Sequence, residues 1–97
     1  MNISMIVPVY RGQRYLKGLQ RMAAENARVL QQAYPKAQVE LLFVNDDPAM
    51  PLQLSDCPKE ITVRVIENKE NLGIHGTRVH GLNHATGEYI LDRKSVV

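Results

Sequence analysis

The chain has 97 residues, which is enough for one small domain or for part of a larger one. Hydrophobic residues make up 44% and charged residues 23%, a composition that excludes the low hydrophobicity and high charge of a disordered segment. Twelve basic and ten acidic residues are scattered along the sequence, so no dense basic run indicates nucleic acid as a partner. No apolar run approaches the roughly 18 residues of a membrane span and no leader-like segment opens the chain, so we expect a cytoplasmic protein.

The first third of the chain predicts a buried strand and then an amphipathic helix. Ile3 to Tyr10 is nearly continuously apolar, as in a parallel strand that is covered on both faces. Pro8 cannot donate to a sheet ladder, so this strand is expected to end near Val7. Apolar residues then recur at intervals of three and four as far as Pro35, the spacing of one helix face: Leu16, Leu19, Ala23, Ala27, Leu30 and Tyr34.

The middle of the chain predicts a second buried strand, a loop and an edge strand. Val39 to Asn45 is the buried strand, and Asp46-Asp47-Pro48 forms a turn at its carboxyl end. The prolines of residues 48–58 interrupt any regular pattern, which indicates a loop. Apolar residues then alternate with polar ones, as in a half-exposed strand at a sheet edge: Ile61, Thr62, Val63, Arg64 and Val65.

A last helix and strand complete the pattern. The polar stretch from Asn68 to Gly76 leads to a short helix whose apolar positions are Val79, Leu82 and Ala85. Gly87 is expected to close this helix in the left-handed conformation. Glu88 to Leu91 is a fourth short strand. His75, His80 and His84 lack a neighbouring third metal ligand and are interpreted as solvated or capping, and Cys57 as an inert thiol.

Strands that alternate with helices predict an α/β fold, a three-layer Rossmann-like open sheet with four mostly parallel strands. Ligands of such sheets bind beyond the carboxyl ends of the strands, where Pro8 to Gly12, Asn45 to Asp47 and Asn68 to Arg78 would meet. These segments offer the Tyr10 ring, the carboxylate pair Asp46 and Asp47, and Arg78, a set that suits uracil, whose N3–H needs an acceptor. The glycine patterns of dinucleotide-binding and P-loop proteins are absent from the sequence.

Five segments in the same order resemble family 2 glycosyltransferases of the GT-A fold. They are Ile6-Val7-Pro8-Val9-Tyr10, Tyr15-Leu16, Val44-Asn45-Asp46-Asp47, Asn71-Leu72-Gly73 and Ala85-Thr86-Gly87-Glu88-Tyr89-Ile90, and the resemblance runs from about Ile3 to Leu91. It implies a strand order of 3-2-1-4 and a nucleotide-sugar ligand, which we expect to be UDP-linked. It assigns these positions to the nucleotide: Pro8, Val9, Tyr10, Asp46, Asp47 and Arg78. A turn-forming role for Asp46 and Asp47 remains open, because Asp-Asp-Pro is a good turn sequence.

The same resemblance has departures. The family often has Asn where this chain has Arg11, Asp-Gly-Ser after the second strand where it has Asp47-Pro48, and A-R-N where it has Thr77-Arg78-Val79. The parent enzyme is expected to use Mg²⁺ or Mn²⁺ held by an Asp-x-Asp motif, to transfer the sugar with inversion, and to take a catalytic base from a region beyond these motifs. Here Asp92 is followed by Arg93 and Lys94, which would repel a cation.

The resulting hypothesis divides the chain at residue 91. Residues 1–91 are the nucleotide-sugar-binding half of a glycosyltransferase domain, and residues 92–97 form a tail that departs from the family pattern. We expect no catalytic residue, no bound metal, and self-association through the Tyr89 to Val97 end. The alternative is a non-catalytic nucleotide-binding or assembly module. A phosphoacceptor receiver domain is disfavoured, since Tyr10-Arg11 and Glu67-Asn68 occupy the strand ends where it needs acids.

Overall fold

The fold was analysed in a computed structural model that describes residues 1–54 and 56–92. Its sheet has four strands in the order β3-β2-β1-β4, which confirms the expected order. The strands are β1 (Asn2–Val9), β2 (Gln38–Asn45), β3 (Thr62–Glu67) and β4 (Tyr89–Asp92). All three pairings are parallel, so the sheet is fully and not just mostly parallel.

Two helices cover the two faces of this sheet and give the expected three layers. Helix α1 (Leu16–Ala33) follows a single 3-10 turn, and helix α2 (Gly73–His84) connects β3 to β4. On the α1 side, alternate residues of β1 and β2 are buried against the helix. They are Met5, Val7 and Val9 of β1 and Leu41 and Phe43 of β2, and they pack against Leu16, Ala23 and Ala27 of α1. The α2 side buries the intervening residues Ile6, Leu42 and Val44. No helix in the described part of the chain is long and apolar enough to cross a bilayer.

Strand β1 continues past Pro8, so the expected end near Val7 is wrong. The Val9 carbonyl accepts the Asp46 amide on the β2 side. Backbone groups of successive strand residues point to alternate sides, so the Pro8 nitrogen points toward the β4 side. There, within the described residues, the pairing with β4 reaches to Ile6. In this part of the chain the proline therefore interrupts no ladder hydrogen bond, and the strand carries on to the carboxyl edge of the sheet.

Helix α1 follows its predicted face with two exceptions. Leu16, Ala23 and Ala27 are buried as expected. The helix ends at Ala33, and Tyr34 beyond it is 53% exposed, so its place on the core face is wrong. Gln20 is 1% exposed although it is polar, and its amide reaches the Cys57 sulfur at 3.5 Å. Cys57 itself is exposed.

Helix α2 packs through small residues and not through its large apolar ones. The expected core positions Val79 and Leu82 are 42% and 47% exposed, so that prediction is wrong. Thr77 and Gly81 form the buried face instead. A Cβ on Gly81 would lie 2.7 Å from Ile6 and 2.9 Å from Val44, which shows how closely the helix approaches the sheet. The close contact between α2 and the sheet requires small side chains on this face of the helix.

The sequence predicted that Gly87 closes α2, but this prediction is wrong. The helix ends at His84, and Ala85 after it is already extended. Gly87 lies farther along, where its amide donates to the Ser4 hydroxyl at 2.8 Å. A Cβ there would lie 2.7 Å from the Ser4 backbone nitrogen. The position needs glycine because two backbone segments touch, not because of a left-handed turn.

A carboxylate at the amino-terminal edge of the sheet holds this connection in place. Glu40 on β2 accepts hydrogen bonds from the Ser4 hydroxyl at 2.5 Å, the Thr86 amide at 2.8 Å and the Thr86 hydroxyl at 2.9 Å. Arg64 on β3 pairs with its other oxygen at 3.1 Å. Burial alone would raise the pKa of Glu40, but these hydrogen bonds and the Arg64 charge outweigh it and lower the pKa. The α2–β4 connection is thus fastened to β1 and β2.

We predict that Gly87→Ala destabilises the fold. The new Cβ would meet the backbone of Ile3 and Ser4 at 2.9 and 2.7 Å, and strand backbone cannot move aside cheaply. Overpacking of this kind costs about 1 to 3 kcal/mol in the free energy of unfolding. Gly18→Ala is the matched control, because nothing lies within 4 Å of its Cβ position in the first turn of α1.

Urea denaturation of the two variants measures the difference. Gly18→Ala should gain about 0.5 to 1 kcal/mol, since alanine favours a helix interior over glycine. Equal stability of the two variants would contradict the close approach at Gly87.

Candidate functional site

The ends of β1 and β2 meet the β3–α2 connection at the carboxyl edge of the sheet, as the sequence predicts. The Asp46 amide donates to the Val9 carbonyl at 2.8 Å, which joins the end of β2 to the end of β1. The Asn68 amide donates to the Asn45 carbonyl at 2.9 Å. Asn71 reaches the Asp46 carbonyl at 3.4 Å. Asp46 therefore lies where all three segments converge.

The Asp46 side chain accepts hydrogen bonds from the start of α2. Its Oδ1 accepts the Leu72 amide at 2.7 Å, and its Oδ2 accepts the Gly73 amide at 3.0 Å. A carboxylate in this place satisfies backbone N–H groups that have no partner within the helix and interacts favourably with the helix dipole. Gly73, the first residue of α2, has a φ of +74°, a backbone conformation that favours glycine.

The surroundings of Asp46 keep it ionised. The residue is 6% exposed, and burial alone would raise the pKa of its carboxyl. Hydrogen bonds from the Leu72 amide, the side chains of Asn68 and Thr77 and the Gly73 amide outweigh burial, so the pKa lies below its ordinary value. At neutral pH the group is an anion that only accepts hydrogen bonds. It is suited to a ligand N–H and unsuited to a ligand carbonyl.

Asn68 extends this network to His80. Its side-chain nitrogen donates to Asp46 Oδ1 at 2.9 Å and to the Thr77 hydroxyl at 3.1 Å, which uses both amide hydrogens. Its oxygen then faces His80 Nδ1 at 2.5 Å. With the amide assigned from this network, His80 Nδ1 must carry a hydrogen. Asn68 is 2% exposed, so the network lies inside the protein.

Sequence reasoning missed the parts played by Asn68 and His80. Asn68 was one residue of a polar loop, and His80 was interpreted as solvated or capping, whereas it is half-buried and hydrogen-bonded inside the fold. The one available signal was that Asn68 directly follows the carboxyl end of β3. His84 is exposed, and its Nδ1 lies 3.0 Å from the His80 carbonyl oxygen.

Asp47 forms the turn after β2. Its Oδ1 accepts the Ala49 amide at 3.0 Å, a local turn in which the side chain bonds the backbone two residues on. Its amide donates to the Asn45 side chain at 3.1 Å. Its Oδ2 pairs with the Arg11 guanidinium at 3.2 Å. Asp47 is 7% exposed, so most of its acceptor capacity is used within the protein.

Arg11, which departs from the family motif in the sequence, lies at the site. It follows β1 with a φ of +53°, in the left-handed region. Its guanidinium carbon lies 5.1 Å from the centre of the Tyr10 ring. Arg11 therefore bridges Tyr10 and Asp47, two of the residues assigned to the nucleotide.

The remaining predicted residues lie deeper or on α2. Pro8 is buried, and Val9 is 1% exposed and packs in the core on the α1 side. Tyr10 is half-buried at the end of the strand. Arg78 is half-buried on α2, next to Thr77, whose hydroxyl belongs to the Asp46 network. Val9 thus shapes the site through its backbone, while Tyr10 offers a ring.

A cleft of about 620 Å³ opens beside Asp47, between residues 11–14 and residues 49–53. Two hydrogen bonds hold its two walls together. The Gln13 side-chain amide donates to the Gln53 carbonyl at 2.7 Å and accepts from the Gln53 backbone amide at 2.8 Å. Arg11 and Arg14 supply positive charge, and Met50 and Leu52 supply apolar surface. The volume is in the range of small-molecule pockets.

The described residues do not fit a divalent metal. Among residues 1–54 and 56–92, no group of three His, Cys, Asp or Glu residues comes together to hold an ion. Arg93 and Lys94, which follow β4 in the sequence, lie outside the described residues.

Comparison with known proteins assigns the family. A sequence model of the family described as Glycosyl transferase family 2 matches residues 4–91. The chain is also 30% identical over 93 residues to a protein of Mycobacterium tuberculosis (strain CDC 1551 / Oshkosh) named "Putative glycosyltransferases". That match covers 93% of this chain and 26% of the relative, so the chain spans about a quarter of the relative's length. No solved structure matches the chain significantly. Since the family model covers most of its residues, the chain belongs to glycosyl transferase family 2.

Proposed function

We propose that this chain is the nucleotide-sugar-binding half of a family 2 glycosyltransferase, that its donor is a UDP-linked sugar, and that it acts in the cytoplasm. The observation that carries the proposal is the buried, ionised Asp46 beside Tyr10 at the carboxyl edge of a parallel sheet. Ligands of open α/β sheets bind at this edge. An anionic acceptor next to an aromatic ring suits the uracil N3–H and the face of the base.

The proposed pose places the base over Tyr10 with its N3–H on Asp46 Oδ2. That oxygen accepts the Gly73 amide at 3.0 Å, and the uracil N3–H adds a second donor to it. Arg78 lies on α2, the helix whose Gly73 amide bonds Asp46. It is proposed to contact the base or a phosphate. Positive charge from Arg11, whose guanidinium lies at Tyr10 and Asp47, favours the diphosphate.

We further propose that the chain does not catalyse transfer. The residues after β4 in the sequence are Arg93 and Lys94, where the family places the acids that hold a cation. The parent enzyme would use Mg²⁺ or Mn²⁺ to neutralise charge on the leaving diphosphate and a carboxylate to deprotonate the acceptor. The second candidate, a non-catalytic nucleotide-binding or assembly module, is favoured by the same basic pair and by the exposed apolar residues of α2 and β4.

Calorimetric titration with UDP tests the proposed ligand. We expect weak binding whose affinity changes by less than about twofold when Mn²⁺ is added, because the base site is present and the metal ligands are not. A strong dependence on Mn²⁺ would show that the Asp92 to Lys94 segment holds a metal after all. Absence of UDP binding would favour the assembly module.

Asp46→Asn should weaken UDP binding by about 1 to 3 kcal/mol, since the amide can turn its NH₂ toward the N3–H of the base. The structure adds an effect on folding that the sequence did not suggest. An Asn there sets its NH₂ against the Leu72 or Gly73 amide, and loss of a helix-capping acceptor costs about 0.5 to 2 kcal/mol. Titration and urea denaturation measure the two effects separately.

Asp56→Asn is the matched control for Asp46→Asn, because it makes the same change of charge at an exposed position. It should leave affinity and stability nearly unchanged. If Asp46→Asn lowers stability and leaves UDP affinity at the wild-type value, Asp46 is a helix cap and nothing more.

We also propose that the chain self-associates through its exposed apolar surface. Leu91 on β4 is 51% exposed, next to Tyr89 at 57% and Ile90 at 39%, and β4 is an edge strand of the sheet. Apolar edge strands pair readily with other chains. Sedimentation velocity over a range of concentrations should show association that Leu91→Lys reduces. Val29→Lys on α1, where Val29 is 67% exposed, should not reduce it. A wild-type monomer at high concentration would overturn the proposal.

A further inference from the structure

Arg11 lies over the Tyr10 ring at the candidate site. Its guanidinium carbon lies 5.1 Å from the centre of the Tyr10 ring. Tyr10 is half-buried, so part of its surface is already taken up by the fold. A base that stacks on Tyr10 must therefore share the ring with this guanidinium or displace it.

The backbone directs Arg11 toward Tyr10 and Asp47. A φ of +53° is uncommon for a residue with a Cβ, and such conformations persist where the surrounding structure favours them. Here the ion pair from Arg11 Nε to Asp47 Oδ2 at 3.2 Å accompanies the strained backbone. Asp47 is in turn fixed by its own turn with Ala49. The position of the guanidinium is thus set by the turn after β2.

The contacts that hold the cover are individually weak. The Arg11 side chain is 64% exposed, and ion pairs of that exposure contribute little to stability. Exposed cation–π contacts are similarly modest. Stacking of a base on an aromatic ring is of comparable or greater strength. A nucleotide can therefore displace the guanidinium without unfolding the site.

We propose that Arg11 is a specificity-determining residue that leaves Tyr10 when a base stacks there and then pairs with the diphosphate of the same ligand. This rests on the nucleotide site proposed above. A neutral nucleoside must displace the cover and gives the guanidinium no new partner. A nucleoside diphosphate supplies one, because phosphate oxygens accept hydrogen bonds from a guanidinium in bidentate geometry. The chain would therefore prefer nucleoside diphosphates to nucleosides.

Arg11→Asn separates the two effects. Asn tolerates the left-handed backbone at least as well as Arg, so the variant should fold. It removes the cover, so uridine should bind about three- to tenfold more tightly than to the wild type. It also removes the charge offered to the diphosphate, so the ratio of UDP affinity to uridine affinity should fall by about tenfold. Calorimetry with uridine and UDP gives both numbers.

Arg14→Asn is the matched control. Arg14 lines the same cleft, its guanidinium carbon lies 4.8 Å from the centre of the Tyr15 ring, and it donates to the Tyr15 hydroxyl at 2.9 Å. Tyr15 has no part in the proposed base site, so uridine affinity should stay at the wild-type value in this variant. An equal effect of Arg14→Asn and Arg11→Asn would reduce Arg11 to general positive charge and overturn the proposal.

The remaining outcomes distinguish this assignment from the proposed function. If the wild type binds UDP and Arg11→Asn changes neither affinity, the nucleotide site stands and the role of Arg11 is wrong. If Arg11→Asn weakens uridine binding, Arg11 is a stacking partner and not a cover, which also overturns the proposal. If neither protein binds uridine or UDP, the nucleotide site is wrong and the role of Arg11 with it.

Discussion

The carboxyl edge of the sheet depends on the Asp46 carboxylate, which joins three parts of the chain that are distant in sequence. It lies at the end of β2, its amide bonds β1, and its side chain accepts the first amides of α2. A buried charge is tolerated only where hydrogen bonds replace the lost water, and the donors around Asp46 do so. The same donors keep it ionised. Helix placement and the proposed ligand recognition therefore rest on one side chain.

This double role explains why the sequence alone left Asp46 open between a turn and a base contact. Asp-Asp-Pro predicts a turn, and the structure assigns the turn to Asp47, whose carboxylate bonds the Ala49 amide. Asp46 turns the other way, toward α2. Local sequence preference cannot distinguish two adjacent aspartates, because the choice depends on amides 26 and 27 residues away. The roles of Arg11 and Asn68 were missed because their partners Asp47 and Asp46 are also distant in sequence, 36 and 22 residues away.

The order of strands and helices along the chain was predictable because it follows from the spacing of the apolar residues. β1 and β2 are apolar along their length since both lie inside the sheet with a helix on each face. The order β3-β2-β1-β4 was taken from the family resemblance and is confirmed. The core face of α2 was not predictable. Apolar spacing located Val79 and Leu82, but the contact is made by Thr77 and Gly81, whose value lies in their small size.

The small face of α2 has a consequence for the site. Because Gly81 lets the helix lie against Ile6 and Val44, the amino end of α2 comes within hydrogen-bonding distance of Asp46. At the other end, Glu40 fastens the segment after α2 through Thr86 and its hydrogen bonds. Asp46, at the carboxyl end of β2, thus fixes the start of α2, and Glu40, near the amino end of β2, fixes the segment that follows α2. A larger residue in place of Gly81 would push α2 away from the sheet and so displace it from both Asp46 and Glu40. The geometry of the candidate site would then be lost through packing alone, with all of its own residues unchanged.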